Sequence, residues 1–265
     1  MKHILIVIAF VYVVGCNPHI DSIILGRSES KFLQDVSSGN TKAVKAYLDK
    51  GGNVNLQDEP GMTPLHHAVN GNWNGANFDT IKLLIDRGAN VNAIDDTHHT
   101  PLHMANNKEI AELLINKGAN VNAKTKRIGE TPLFSAAHGA AQGHSKSFQK
   151  YLDLTKMLIT KGADINVKLK SGSMIEDDEA MTTLEKYYRS KAGDTVLHKV
   201  ARSYSEKHAS EVCELLVTNG GRINERNIRG QTPLDEALLN KRSKTAEFLR
   251  KHGAKTVEEL ESHSE

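Results

Sequence analysis

An all-α solenoid of stacked helix–turn–helix units, joined by β-turn or hairpin loops, is the fold this sequence predicts. Two self-similar segments carry the prediction. One begins at Thr63, Thr100, Thr131, Thr195 and Thr232 and reads as a version of Thr-Pro-Leu-His. The other begins at Gly51, Gly88, Gly118, Gly162 and Gly220 and reads as a version of Gly-Ala-Asn-Val-Asn, with a truncated copy at Gly253-Ala254-Lys255. They recur with a period near ~33 residues, which marks units that bury their apolar faces only against neighbours.

Each segment has a physical job. Thr-Pro opens the first helix of a unit: the Thr hydroxyl can satisfy free N–H groups, and Pro costs nothing at the first helical position. The copies are Thr63-Pro64-Leu65-His66, Thr100-Pro101-Leu102-His103, Thr131-Pro132-Leu133-Phe134, Thr195-Val196-Leu197-His198 and Thr232-Pro233-Leu234-Asp235. Small residues follow at Ala68, Ala105, Ala136 and Ala237, so that the next helix packs closely. A second helix carries the aliphatic runs Leu83-Leu84-Ile85, Leu113-Leu114-Ile115, Met157-Leu158-Ile159 and Leu215-Leu216-Val217. Gly88, Gly118, Gly162 and Gly220 then end it in a left-handed cap. Asn-Val-Asn runs outward to a turn that asks for Gly two residues before the Thr, supplied by Gly61, Gly129, Gly193 and Gly230. His98 stands in that place in the remaining copy, where positive φ is tolerated but not free.

The irregular spacings have local causes. Thr63 to Thr100 is about four residues over the period, with the excess in Gly71-Asn72-Trp73-Asn74-Gly75 between the two helices. Thr100 to Thr131 is shortened by a clipped turn at Asn106-Asn107. Thr195 to Thr232 carries its excess near Ser203 to His208. Thr131 to Thr195 is nearly two periods: about ten extra residues fall around Gln142 to Leu152, and about twenty on the turn between Lys170 and Ala192. A hidden extra repeat is rejected, because that stretch holds no second Leu-Leu pair and no further Gly-Ala-Asp-Ile-Asn. Gly71, Gly75 and Gly139 are expected in connections between helices.

These motifs in register resemble the ankyrin repeat. The resemblance covers about residues 30–257, in units 30–58, 59–95, 96–126, 127–169, 192–227 and 228–257, with a turn insertion at 170–191 and an acidic tail at 258–265. The first unit lacks Thr-Pro-Leu-His, as a terminal cap facing water would, and Arg242, Lys244, Arg250 and Lys251 make the last unit polar. The family resemblance implies a protein-binding scaffold without catalysis. It also implies that the rings of His66, His103 and His198 hold their turns by local hydrogen bonds, and that partners meet the turn tips and the inner face of the first helices.

Met1-Lys2-His3 precedes an unbroken apolar run from Ile4 to Val14, then Gly15-Cys16. A short basic start with ~7–15 apolar residues describes a secretory signal, and the run is shorter than the ~20 residues a membrane span needs. Val13-Val14-Gly15-Cys16 resembles the bacterial lipobox, which implies a signal peptide at 1–15, lipidation of Cys16 and a tether at 16–29. Ordinary signal cleavage nearby and an uncleaved anchor are the alternatives. Asn17 is not the Asp that retains such proteins at the inner membrane, so the outer membrane or periplasm is the expected location, with secretion as the alternative.

Composition bounds the chemistry. Lys and Arg number 34 against 32 Asp and Glu, a formal charge of +2, so nothing points to nucleic acid. With Cys16 lipidated, Cys213 is the remaining thiol. It sits at an apolar position of a second helix and is expected to be buried and inert. Equivalent histidines of neighbouring repeats stand ~8–10 Å apart, too far to share a zinc ion at ~2.0–2.1 Å. His98-His99 beside Asp95-Asp96 is the one cluster worth testing for metal, against a solvated turn. Glu176-Asp177-Asp178-Glu179 lacks the spacing and turn Gly of a calcium loop. No nucleophile motif or phosphate cradle is present, so neither an enzymatic activity nor a cofactor is expected.

The insertion is the leading functional candidate. From Asp177 it reads as a short helix with acids at its start and Lys186, Arg189 and Lys191 at its end, both favourable to the helix dipole. Met181, Leu184 and Tyr188 share a stripe with Tyr187 beside them; partner binding and packing back onto the solenoid are both open. Trp73 is open in the same way, as an anchor or as a cover for neighbouring helices. Further candidate contacts are Asp58, Glu59, Asp95, Asp96, His98, His99, Lys124, Lys126, Arg127, Arg226 and Arg229, acidic in the early turns and basic in the later ones. The expectation is a monomeric, non-enzymatic scaffold anchored by lipid in a bacterial envelope, binding a protein with the opposite polarity. An exported host-interaction factor is the alternative, and a metal-binding accessory of an envelope enzyme a third reading.

Overall fold

The computed structural model describes residues 26–71, 78–142, 145–170 and 192–262. Within them the chain is helical and contains no strand. In order, the helices are α1 (Arg27–Ser37), α2 (Thr41–Asp49), α3 (Pro64–Asn70), α4 (Phe78–Asp86), α5 (Pro101–Met104), α6 (Lys108–Asn116) and α7 (Pro132–Gln142). Then follow α8 (Ser145–Thr160), α9 (Val196–Ala201), α10 (Glu206–Thr218), α11 (Pro233–Leu239), α12 (Ser243–Lys251) and α13 (Val257–Glu261).

Odd-numbered helices α1 to α11 pack in sequence against one another and form one layer. The second helices form the other, with α2 on α4, α6 on α8 and α10 on α12. The motif leucines Leu65, Leu102, Leu133, Leu197 and Leu234 are all buried, and so are Leu84, Leu114, Leu158 and Leu216 from the second helices. One continuous apolar column thus runs between the layers, to which each unit adds its share.

The predicted caps are present. Gly88, Gly118, Gly162 and Gly220 have φ of 89, 92, 88 and 92°. Behind Gly118, the N–H of Ala119 donates to Leu114 O at 2.9 Å and the N–H of Gly118 to Ile115 O at 2.9 Å, the paired bonds of a Schellman motif. His98 adopts φ 61°, as its turn position demands, and Lys241 is a second non-glycine residue at positive φ, 58°.

Several local expectations are corrected. Gly139 lies inside α7, not in a connection. It is small because the Tyr151 ring of α8 lies against it, and a Cβ there would stand 2.8 Å from Tyr151 Cδ1. The extra residues around Gln142 to Leu152 are largely taken up in α7 and α8, which pack closely on each other. The excess near Ser203 to His208 is partly taken into α10, which starts at Glu206. The first helix begins at Arg27, three residues before Ser30 and within the stretch read as tether. The acidic tail is helical through Glu261, with Arg250 bonded to Glu259 at 2.8 Å and Arg226 to Glu261 at 3.0 Å.

Candidate partner-binding face

The motif threonines and histidines build a cross-unit brace. Thr63 N–H donates to His66 Nδ1 at 3.1 Å, and the Thr63 hydroxyl lies 2.8 Å from the same nitrogen. A nitrogen that accepts a backbone N–H carries no proton, so the ring proton sits on Nε2, which donates to His99 O at 3.1 Å. His103 reaches Glu130 O at 3.1 Å and His198 reaches Gln231 O at 3.0 Å in the same way. Each of these carbonyls belongs to the residue before the next unit's Thr. In the last unit Asp235 replaces the ring and reverses the polarity, its Oδ2 accepting from Thr232 N and from Val257 N. Burial lowers the pKa of His66, His103 and His198, that of His103 to about 4, so the rings stay neutral.

Unit four departs from this scheme. Phe134 occupies the histidine position, and the buried Thr131 Oγ1 has no hydrogen-bond partner among the described residues. The next turn nonetheless keeps its frame: Leu169 N donates to Asp194 O at 2.9 Å and Gly193 N to Leu169 O at 2.8 Å. The two ends of the inserted turn therefore meet in a closed stem.

The second Asn of each Asn-Val-Asn segment has a role that the sequence reading missed. Asn92 Nδ2 donates to Gly118 O at 2.9 Å while its Oδ1 accepts from Asn120 N at 2.8 Å. Asn55, Asn122, Asn166 and Asn224 clamp the following unit identically. The strict recurrence of that Asn was the available signal, since an unneeded polar residue would drift between copies.

Turns are stitched tip to tip. Asp96 N donates to Pro60 O at 3.0 Å, Lys126 N to Thr97 O at 2.9 Å, Lys170 N to Ile128 O at 2.8 Å and Ile228 N to Ala192 O at 3.0 Å. Asp95, Asp96, His98, His99, Lys126 and Arg127 thereby lie on two adjacent turns, with Asp58 and Glu59 on the turn before. Arg226 and Arg229 lie beyond the inserted turn. The polarity is less free than the sequence suggests. Asp95 Oδ1 is engaged by Thr97 and by His99 N, Asp58 pairs with His67 at 2.7 Å, Arg226 with Glu261 and Arg229 with buried Glu236. Asp95 and His99 thus serve first to shape their own turn, and among the described residues no group of three metal-ligating side chains comes together. Cys16, Trp73, the 171–191 segment with Met181, Leu184, Tyr187 and Tyr188, and the Glu176–Glu179 run lie outside the described residues.

Beside the turns, the first-helix layer presents a row the sequence reading did not single out: His67, Met104, Ser135 and Lys199, each directly after the motif, are all partly exposed. Their variety at one position of an otherwise regular repeat was the legible signal. Lys199 Nζ lies 3.5 Å from Glu130 Oε1. Arg202 Nη1 lies 2.6 Å from buried Asp194 and 3.7 Å from Glu236, whose carboxylate also takes Asn227 and Arg229. Cys213 is fully buried, and burial alone pushes its thiol up to about 12, so it has no thiolate character.

The family model described as ankyrin repeats (3 copies) matches residues 32–125 and 144–259. A chain of the complex of the predatory endopeptidase Bd0816 from Bdellovibrio bacteriovorus with immunity protein Bd3460 is 27% identical, with a TM-score of 0.56 over 83% of this chain and 96% of that one. An ankyrin repeat domain (ABAYE2397) from Acinetobacter baumannii AYE shares the fold, with 21% identity and a TM-score of 0.63 over 86% of this chain and 100% of that one. The ankyrin repeat protein FPV223 of Fowlpox virus (strain NVSL) is 40% identical over 47 residues, 18% of this chain; the match spans 33% of that relative's length.

Proposed function

Because this chain belongs to the ankyrin-repeat family and is a non-catalytic protein-binding module, we propose that it is a scaffold anchored by lipid in a bacterial envelope, with an exported protein as its partner. The Gly15-Cys16 junction after the apolar run supports the anchor. The observation that carries the binding reading is the stitched row of turns, which holds neighbouring tips in register by backbone bonds of 2.8–3.0 Å. A surface ordered in this way loses little conformational freedom on binding.

The partner class favoured is an exported hydrolase such as an endopeptidase. Likeness to a chain of an endopeptidase–immunity protein complex over most of both chains supports it. The contact surface comprises the turns around Asp95, Asp96, His98, His99, Lys126 and Arg127 together with the 170–191 insertion, with Met181, Leu184, Tyr187 and Tyr188 as its apolar anchors. Arg226 and Arg229 contribute less, since both already hold carboxylates.

Cross-linked capture from envelope extracts, with and without residues 171–191, tests this reading. The closed stem at Leu169 and Gly193 supports the expectation that a short Gly-containing replacement leaves the helical signal intact. The whole chain should capture an exported hydrolase and the shortened chain should lose it. Capture of cytoplasmic proteins, or capture indifferent to both the replacement and the turn charges, would contradict the proposal.

A further inference from the structure

We propose that the edge carrying Tyr204, Leu238, Leu239 and Arg242 rests on a bilayer surface of anionic phospholipid headgroups, an inference that extends the envelope-anchored reading above. These side chains stand where the first helices α9 and α11 end. Tyr204 is 79% exposed, Leu239 62% and Leu238 44%. They form one patch. The Arg242 guanidinium lies 4.5 Å from the centre of the Tyr204 ring, and Arg242 N donates to Ala237 O at 2.8 Å, one residue before the leucines.

Comparison between units shows that this patch is a departure. Asn70, Asn107, His138 and Arg202 occupy the position of Leu239 in the other units, and all are polar. Val69, Asn106, Ala137 and Ala201 occupy that of Leu238, and all are buried. Among the described residues no further first helix is stacked on α11, so both leucines stay open to solvent.

The charges around the patch select its occupant. Lys207, Lys241 and Lys244 are exposed beside it, and with Arg242 they make four cations that no ion pair engages among the described residues. Of the acids on the same segments, Glu206 accepts from Lys244 N, Glu236 is buried against Arg202 and Arg229, and Glu247 lies one turn further along α12. Positive charge is therefore in excess. Projecting leucines, an amphipathic aromatic ring and unpaired cations are the groups that meet lipid headgroups: the apolar side chains enter the interface, the ring stays at headgroup level and the cations attract anionic lipid.

Topology makes the contact compatible with protein binding. Each first helix starts at a turn and ends at this edge, as α9 does in running from Thr195 to Arg202. With the edge on the bilayer, the turns point away from it. An extended tether from Cys16 to Gly26 reaches at most roughly 33–36 Å, about twice the length of the eleven-residue α1. A lipid at Cys16 would hold the patch near the surface at high effective concentration, so a weak contact suffices.

The test mixes the full-length chain with vesicles of phosphatidylethanolamine and phosphatidylglycerol, or of phosphatidylcholine alone. Each carries a trace of phospholipid with a photoreactive headgroup, and adducts are mapped by mass spectrometry. Adducts should fall on Tyr204, Leu238 and Leu239 with the anionic vesicles, and diminish with phosphatidylcholine or added salt. Lys126 and Lys156 should remain unlabelled. Lys207→Ser with Lys241→Gly should lower the Tyr204 adduct about fivefold for each cation removed, and Leu238→Ser with Leu239→Ser should abolish it. If a variant fails to fold, the comparison of lipids on the unaltered chain decides. Equal labelling of the patch on both vesicles, no labelling of it on either, or its burial in a dimer of this chain that the leucine substitutions dissolve overturns the proposal. The anchor is read separately by fatty-acid labelling at Cys16, so either result can fail without the other.

Discussion

The ring of His66 joins one unit to the next, its Nε2 lying 3.1 Å from the carbonyl oxygen of His99 while its Nδ1 holds Thr63. A residue that caps its own helix and braces the neighbouring turn makes each unit's local geometry depend on the one after it. The bonds of Asn55 to Gly88 and Asn90 act likewise at the other end of the repeat. Stability in this molecule is therefore held at the junctions between units, as expected of a solenoid.

Two threonines at equivalent positions should respond oppositely to the same substitution. Thr100 donates its hydroxyl to His103 Nδ1, so Thr100→Val should cost about 1 kcal/mol. Thr131 Oγ1 is buried with no partner among the described residues, because Phe134 has replaced the ring. Thr131→Val should be neutral or stabilising by up to ~1 kcal/mol. Thermal melts of the two variants check the contrast; equal losses would mean that Thr131 has a partner after all.

Backbone conformation gives a second opposed pair. Gly118 has φ 92° with open space around its Cα, so Gly118→Val meets strain and no clash. The expected cost is about 1–3 kcal/mol. His98→Gly relieves a non-glycine residue at φ 61° and should change stability by less than ~1 kcal/mol, in either direction. A clear drop in melting temperature for His98→Gly would show that the imidazole itself is needed there.

Acid should weaken the fold through its histidines. His66, His103, His138 and His198 all have pKa values lowered by burial, those of His103 and His138 to about 4, against an ordinary 6.5. A histidine depressed in the fold takes up its proton more readily when unfolded. Its contribution is complete above pH ~6.5 and is lost as pH falls toward ~4, at up to ~1.4 kcal/mol per unit for each such group. His103 alone should cost about 2 kcal/mol by pH 5. Urea unfolding at pH 7, 6 and 5 measures this, and a flat profile would refute it.

Much of the fold was legible because a repeat states each physical requirement several times. One Thr-Pro or one Gly-Ala-Asn would be weak, but Gly88, Gly118, Gly162 and Gly220 share a single left-handed conformation and a single place in the unit. Even the exception was readable, since His98 stands where glycine belongs and takes the glycine conformation. Less was legible wherever a residue's partner comes from another unit. The clamp of Asn92 on Gly118 depends on stacking that no single unit reveals, whereas the enclosure of Asp194 by Arg202 and Asn227 depends on how the two ends of one unit fold together. Gly139 was misplaced for a different reason, because its smallness answers to Tyr151 on the second helix of its own unit. Charges on the turns could be located, but whether Arg226 was free depended on Glu261 folding back.

The proposed anchor makes a prediction independent of the repeats. Cys16→Ser should abolish incorporation of a fatty-acid probe and leave an uncleaved or soluble product, since Cys213, the other thiol, is fully buried. Metabolic labelling in a bacterial host reads the result. Undiminished label in the variant would remove the lipobox from the account.

The central claim is that this molecule binds a protein with its turns and the 171–191 segment while its second helices stay outside the contact. Photo-cross-linking side chains placed singly at Lys126, at Tyr187 and at exposed Lys156 on α8 test it in the envelope of living cells. The account predicts discrete adducts to one exported protein from Lys126 and Tyr187 and none from Lys156. Adducts chiefly from Lys156, or no protein adduct from any of the three positions, would contradict it.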